Sequence, residues 1–130
     1  MLYKNYLLDT TAIIEVLRGN KSIKKLIERW LDEGNNIYYS TLSVYEVYSG
    51  MREGEEKGVK AFFEGFSCYN LTPPIAEQAG KWTIYYRKKG ITISGFDALI
   101  GATAYLNKCM LVTANVKLFP MLEETQIYKH

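Results

Sequence analysis

Apolar residues along the chain fall into two kinds of stretch. Short unbroken runs alternate with longer segments in which apolar positions recur at helical spacing, the pattern of strands alternating with helices. Tyr6-Leu7-Leu8 predicts a first strand ending at Asp9. Thr10 and Thr11 are competent N-caps for a helix carrying Ile13, Ile14, Val16 and Leu17 and ending by Gly19. Ser22 is the expected cap of a second helix, whose apolar face is Ile23, Leu26, Ile27, Trp30 and Leu31 and which ends at Gly34. Lys21, Lys24, Lys25 and Arg29 lie elsewhere on that helix, as a solvated face or an edge that touches phosphates.

Ile37-Tyr38-Tyr39 predicts the second strand, followed by a helix from Ser40 to Gly50 that carries Glu46. Gly50 to Gly58 reads as a charged turn region and Val59 to Phe66 as a short helix. Cys68 to Leu71 is the expected third strand, ended by Pro73-Pro74. Helices are expected from Ile75 to Lys89 and from Ser94 to Asn107, then a strand at Met110-Leu111-Val112. Asn115 is expected to cap a last short turn before Pro120, with a final strand at Gln126-Ile127-Tyr128. This alternation predicts an α/β sandwich with a mainly parallel sheet.

A length of 130 residues suits one domain. A net charge of +2 does not mark a nucleic-acid binder, and it does not exclude one, because a few Lys and Arg on one face suffice to hold phosphates. Cys68 and Cys109 lack disulfide or zinc spacing and read as small core thiols in a reducing cytoplasm. The start of the chain, from Met1 through Tyr3 and Lys4, does not read as a secretory leader, and no apolar run is long enough to span a membrane.

Four polar residues occupy equivalent places in this plan. Asp9 ends strand one, Glu46 lies in the helix after strand two, Asp97 lies near the start of the helix before strand four, and Asn115 follows Thr113 at the end of strand four. In a parallel sheet the carboxyl ends of strands and the amino ends of helices share one edge, where ligands bind. Three carboxylates and a carboxamide can converge there, and a hard cation such as Mg²⁺ or Mn²⁺ would relieve their mutual repulsion. The only His is His130, so zinc held by His and Cys is disfavoured. Each acid also has a structural reading. Ser43-x-x-Glu46 and Ser94-x-x-Asp97 have the spacing of a capping box, and Asp9 can serve as a turn or cap residue.

Other phosphate chemistries fit less well. Asp9-Thr10-Thr11 lacks the second acid of the Asp-x-Asp used by haloacid-dehalogenase phosphatases. The third-strand exit, Thr72-Pro73, lacks the phosphorylatable Asp of a receiver domain, and no phosphate-binding glycine loop occurs. Gly101, Ala102 and Ala104 look like small residues that let a helix lie close to the sheet.

Four segments in order resemble the PIN domains. YLLDTTAIIEVLRG (Tyr6 to Gly19) resembles their opening, STLSVYEVYSG (Ser40 to Gly50) their second block, ITISGFDALIGATA (Ile91 to Ala104) their third and LVTANVKLF (Leu111 to Phe119) their fourth. Size and plainness resemble the VapC-like toxins among them. The resemblance implies a three-layer α/β/α sandwich on a sheet of about five strands, spanning 1–130 as one domain. It also implies an endoribonuclease dependent on Mg²⁺ or Mn²⁺, a homodimer, and inhibition by a small antitoxin. Asp9, Glu46 and Asp97 carry over as metal ligands, Asn115 as a fourth site residue, and Thr10 and Thr113 as hydroxyl supports. Many relatives have an acid where Asn115 or Leu118 stands here, so the expected site carries three negative charges instead of four. Arg18, Lys21 and Arg52 are candidates to hold the RNA backbone, and Tyr45 and Tyr48 to stack on bases or to pack in the core or a dimer contact. The competing expectation is the same fold binding RNA or a partner without cutting.

Overall fold

The computed structural model describes residues 4–130, so the first residues read for a leader, Met1 and Tyr3, lie outside the described part. Five strands, β1 (Asn5–Leu8), β2 (Asn36–Ser40), β3 (Ser67–Tyr69), β4 (Met110–Thr113) and β5 (Ile127–Lys129), form one sheet in the order β3-β2-β1-β4-β5. Each of the four pairings is parallel. Six helices connect them: α1 (Thr10–Leu17), α2 (Lys21–Asp32), α3 (Thr41–Ser49), α4 (Glu56–Glu64), α5 (Pro73–Lys88) and α6 (Gly95–Leu106).

Alternation along β1 decides the layers. Tyr6 and Leu8 face a core shared with Ile13 of α1, Ile27 and Trp30 of α2, Val47 of α3 and Phe62 of α4. Leu7, between them, faces a second core with Leu111, Ile127 and Ile100 and Ala104 of α6. The sheet is thus covered on both faces, as parallel sheets require. Trp30 stacks on Tyr6 with ring centroids 3.8 Å apart, clamping α2 against the central strand.

Local chemistry shifts several expected boundaries. Asp9, rather than Thr10 or Thr11, caps α1: its side chain accepts the Ala12 amide. Asn20, rather than Ser22, caps α2, accepting from both Ser22 and Ile23. An Asx side chain two residues earlier takes the first amides of the helix and leaves Ser22 inside it. Helix α5 begins at Pro73, because proline is tolerated in a first turn whose amides need no partner. Helix α4 begins at Glu56 and runs through Gly58, so the expected turn region is shorter than its glycines suggest. Asn115 stands before a 3₁₀ turn, Val116–Leu118, but forms no side-chain cap. Cys109 is buried as expected, whereas Cys68 is exposed because it sits on the three-residue edge strand β3. Gly101 packs toward Met121 and Phe119, where a Cβ would lie 3.1 Å from the Met121 sulfur, so its smallness serves that segment.

Leu7 is fully buried in the central strand. Leu7→Ala should lower stability by about 2–5 kcal/mol, against little change for Leu31→Ala, whose side chain is 45% exposed. Urea denaturation of the two variants checks this, and equal midpoints would contradict the assigned core.

Candidate functional site

The register of the sheet lines up the ends of the strands. Leu8 pairs with Val112 and Leu7 with Tyr38, so this register, continued along β1, puts Asp9 between Ser40 of β2 and Thr113 of β4. Lys129 of β5 pairs with Thr113 and continues the same row. This is the carboxyl edge of the sheet, and α1 and α3 begin directly from it.

Asp9 is buried, with 6% of its surface exposed. Its Oδ1 accepts the Ala12 amide at 2.8 Å, and the Thr113 hydroxyl hydrogen-bonds to it. Burial raises its pKa above the ordinary carboxylate value, and the bonds from Thr113 and Ala12 and the nearby His130 oppose that rise without cancelling it. Among the described residues Asp9 has no ion-pair partner. Thr113 is itself fully buried and also accepts the Asn115 amide at 3.0 Å, which fixes the exit of β4 beside Asp9.

A second hydroxyl group sits on the other side of β1. Thr10 donates to Glu46 Oε1 at 2.5 Å and lies 2.9 Å from the Ser43 hydroxyl. Glu46 is half-buried and thereby tied to the residue after Asp9. The Ser43-x-x-Glu46 capping box does not form, because Ser40 caps α3 through the Leu42 amide. Ser43 instead becomes a fully buried member of the site that sequence reasoning had not placed there. Its helical spacing from Glu46, one turn earlier on the same face, is the signal that could have found it.

Asp97 comes from α6. Ser94 caps this helix by accepting the Asp97 amide at 3.1 Å, and the Asp97 side chain is half-buried. Tyr45 and Phe96, the residues just before Glu46 and Asp97, stack with centroids 5.9 Å apart, joining the middle of α3 to the start of α6. Asp97 also borders a cavity of about 370 Å³ with Lys117, Ser94 and Thr92, and Lys117 is a further cation that sequence reasoning passed over. Asn115 lies at the β4 exit but is exposed.

The donor set is made of carboxylates and hydroxyls, which suits a hard divalent cation and not a soft one. The buried and unpaired charge of Asp9 is the feature such an ion would stabilise. As they stand, however, no three His, Cys, Asp or Glu side chains among the described residues lie close enough together to hold a metal ion. Of the residues expected to touch substrate, Arg18 is engaged with Glu55 at 3.3 Å, whereas the side chains of Lys21 and Arg52 are exposed. Tyr45 is 64% exposed, and Tyr48 leans on Phe63.

The fold around this edge is a five-stranded parallel sheet covered by helices on both faces. The PIN-domain family model matches residues 6–120, and the chain belongs to that family. It is similar to Ribonuclease VapC19 of Mycobacterium tuberculosis, with 34% identity over 120 residues covering 92% of this chain and 96% of the relative. Its fold is similar to the crystal structure of VapBC2 from Rickettsia felis bound to a promoter DNA fragment, at a TM-score of 0.82 and 20% identity over 97% of this chain and 98% of the other. A toxin–antitoxin complex from Klebsiella pneumoniae gives a TM-score of 0.77 at 25% identity, covering 96% and 99% of the two chains.

A raised Asp9 pKa means that the folded protein holds that proton more tightly than the unfolded chain. Without metal, the stabilisation is complete below the ordinary carboxylate pKa and is lost as pH rises through the raised value. Asn retains the cap without the charge. In EDTA at neutral pH, Asp9→Asn should therefore gain roughly 0.5–2 kcal/mol, and the gain should shrink as pH falls. Thermal melts of both proteins from acid to neutral pH test this, and a variant less stable than wild type throughout would show that the Asp9 charge is not a burden on the fold.

Proposed function

We propose that this chain is a divalent-metal-dependent endoribonuclease that hydrolyses RNA phosphodiester bonds, the toxin of a toxin–antitoxin pair. The observation that carries the reading is the buried, unpaired Asp9 carboxylate, set in one row of strand ends with Thr113 and tied through Thr10 to Glu46. The family membership and the ribonuclease name of its relative support it. The match reaches residue 120, and β5 beyond it completes the sheet, so residues 1–130 are read as one PIN-like domain.

Asp9, Glu46 and Asp97 would hold Mg²⁺ or Mn²⁺, with Asn115 at the rim as a fourth site residue. Such an ion, when bound, lowers the pKa of water and offsets charge that develops on the phosphoryl oxygens. The remaining work belongs to the chain. Thr113 fixes the Asp9 carboxylate, Thr10 and Ser43 fix Glu46, and the Ser94 cap sets the turn from which Asp97 projects. The partners of this reading are an RNA substrate, a small antitoxin protein and a second copy of the chain. The antitoxin is supported by the Klebsiella pneumoniae complex at 25% identity. Homodimerisation is supported by the exposed aromatic pair Tyr45 and Phe96 beside the site. The setting is the cytoplasm, consistent with two free thiols. No helix among the described residues is long and apolar enough to cross a membrane.

A second reading, a PIN-like protein that binds RNA or a partner without cutting, draws on the open acid arrangement and the exposed Asn115. Calorimetric titration with Mn²⁺, paired with cleavage of single-stranded RNA, separates the two. Saturable binding by wild type, weakened about tenfold or more in Asp97→Asn together with loss of cleavage, is the expected result. Since the Ser94 cap uses the Asp97 backbone amide and not its side chain, the variant should remain folded. RNA binding without cleavage in either Mn²⁺ or Mg²⁺ would favour the second reading.

A further inference from the structure

A cavity of about 720 Å³ opens beside the site, between α1, α2 and the end of β5. This is within the roughly 300–1,000 Å³ of pockets that hold small organic groups. Three cations line it, Lys25 and Arg29 from α2 and Lys129 from β5. The acid on its wall, Glu15, faces His130 Nδ1 at 3.3 Å. The His130 side chain is nine-tenths buried, lines the cavity, and leaves Nε2 without a hydrogen-bond partner.

The cavity adjoins the carboxyl edge through two connections. Ala114 on its wall lies between Thr113 and Asn115, and the His130 amide donates to the Thr113 carbonyl at 3.2 Å. The positive character comes from side chains and not from the start of α2, whose Ser22 and Ile23 amides are already taken by Asn20. Of the four basic residues noted on this helix, Lys25 and Arg29 face the cavity and Lys21 and Lys24 do not line it.

We propose that this cavity is a subsite for the phosphodiester backbone of single-stranded RNA, holding nucleotides adjacent to the one at the acidic edge. The inference rests on the ribonuclease reading above and names where the substrate lies. Cations set beside a row of carboxylates meet the need of a polyanion approaching acids that would otherwise repel it. Lys25, Arg29 and Lys129 supply attraction without base readout. His130 Nε2, which has no hydrogen-bond partner while Nδ1 faces Glu15 Oε2, offers a polar atom to a nucleotide's sugar or base edge.

The test measures binding of a fluorescent single-stranded RNA of about 12 nucleotides in EDTA, over a range of salt concentrations. The proteins are the wild type, Lys25→Gln/Lys129→Gln, and Lys60→Gln on the exposed side of α4 as control. The double variant should lose about tenfold in affinity, and its slope of log K against log salt should fall by about 1.4, two lysines at about 0.7 each. The control should match wild type, and all three should melt at the same temperature. Equal affinity and slope in wild type and double variant would overturn the subsite, as would absence of RNA binding by wild type. A loss confined to an octaglutamate peptide, with RNA binding intact, would also overturn it and assign the cavity to an acidic protein segment. Cleavage with Mn²⁺ is scored separately. Wild-type cleavage with an unaffected double variant rejects the subsite alone, whereas no wild-type cleavage rejects the ribonuclease reading.

Discussion

The backbone amide of Asp9 donates to the Val112 carbonyl at 3.1 Å, its own carbonyl accepts the Ile13 amide, and its carboxylate accepts the Ala12 amide. One residue therefore closes the ladder between the central strands, begins the first helix and caps it. These bonds are satisfied only if the chain leaves β1 with an extended Asp9, and the cap is found in that conformation. The carboxylate is thereby carried below the surface with hydrogen bonds but no cation. A buried carboxylate that is bonded and unpaired is costly in a fold. An ordinary cap on an exposed helix would not need burial, so the position is better explained by the chemistry of the edge than by the helix alone.

Neutral hydroxyls organise what surrounds that charge. Thr113 serves Asp9 and the Asn115 amide at once, and Thr10 serves Glu46 while touching Ser43. A hydroxyl can donate to a carboxylate and still accept elsewhere, so it links groups without adding charge. Replacing these with Lys or Arg would neutralise the acids and destroy any affinity for a metal ion. The parallel sheet makes the arrangement possible. With β1 in the middle, the exits of β2 and β4 flank Asp9, and the helix that follows β2 carries Glu46 to the Thr10 hydroxyl.

The sheet and its helices were readable because the buried strands are continuous apolar runs and the helices have clear apolar faces. Tyr6 to Leu8 and Leu111-Val112 are both fully interior. Caps were harder, since Thr10, Ser22 and Ser43 are all good caps in isolation and the chain uses Asp9, Asn20 and Ser40 instead. In each case an earlier polar side chain on an extended residue takes the first amides of the helix, which puts the expected cap residue inside the helix. The acids were found because their strand-end positions recur. Lys117 and His130 carry no periodic signal, because a surface lysine and a terminal histidine find their neighbours in distant parts of the chain, whereas Ser43 is marked only by its spacing from Glu46.

The small net charge of +2 hides a separation that matters more than the sum. Asp9 and, through Thr10, Glu46 lie along the carboxyl edge, while Lys25, Arg29 and Lys129 border the cavity next to it. Exposed charges farther apart than about 8 Å are largely screened at physiological salt. A substrate therefore responds to the local pattern, not to the total. A uniformly basic surface would attract polyanions everywhere and bury the acids' distinct role. Acids at the reacting phosphate with bases at its neighbours instead give a polyanion one favoured position, in which its flanking phosphates are attracted and the central one requires a cation to approach.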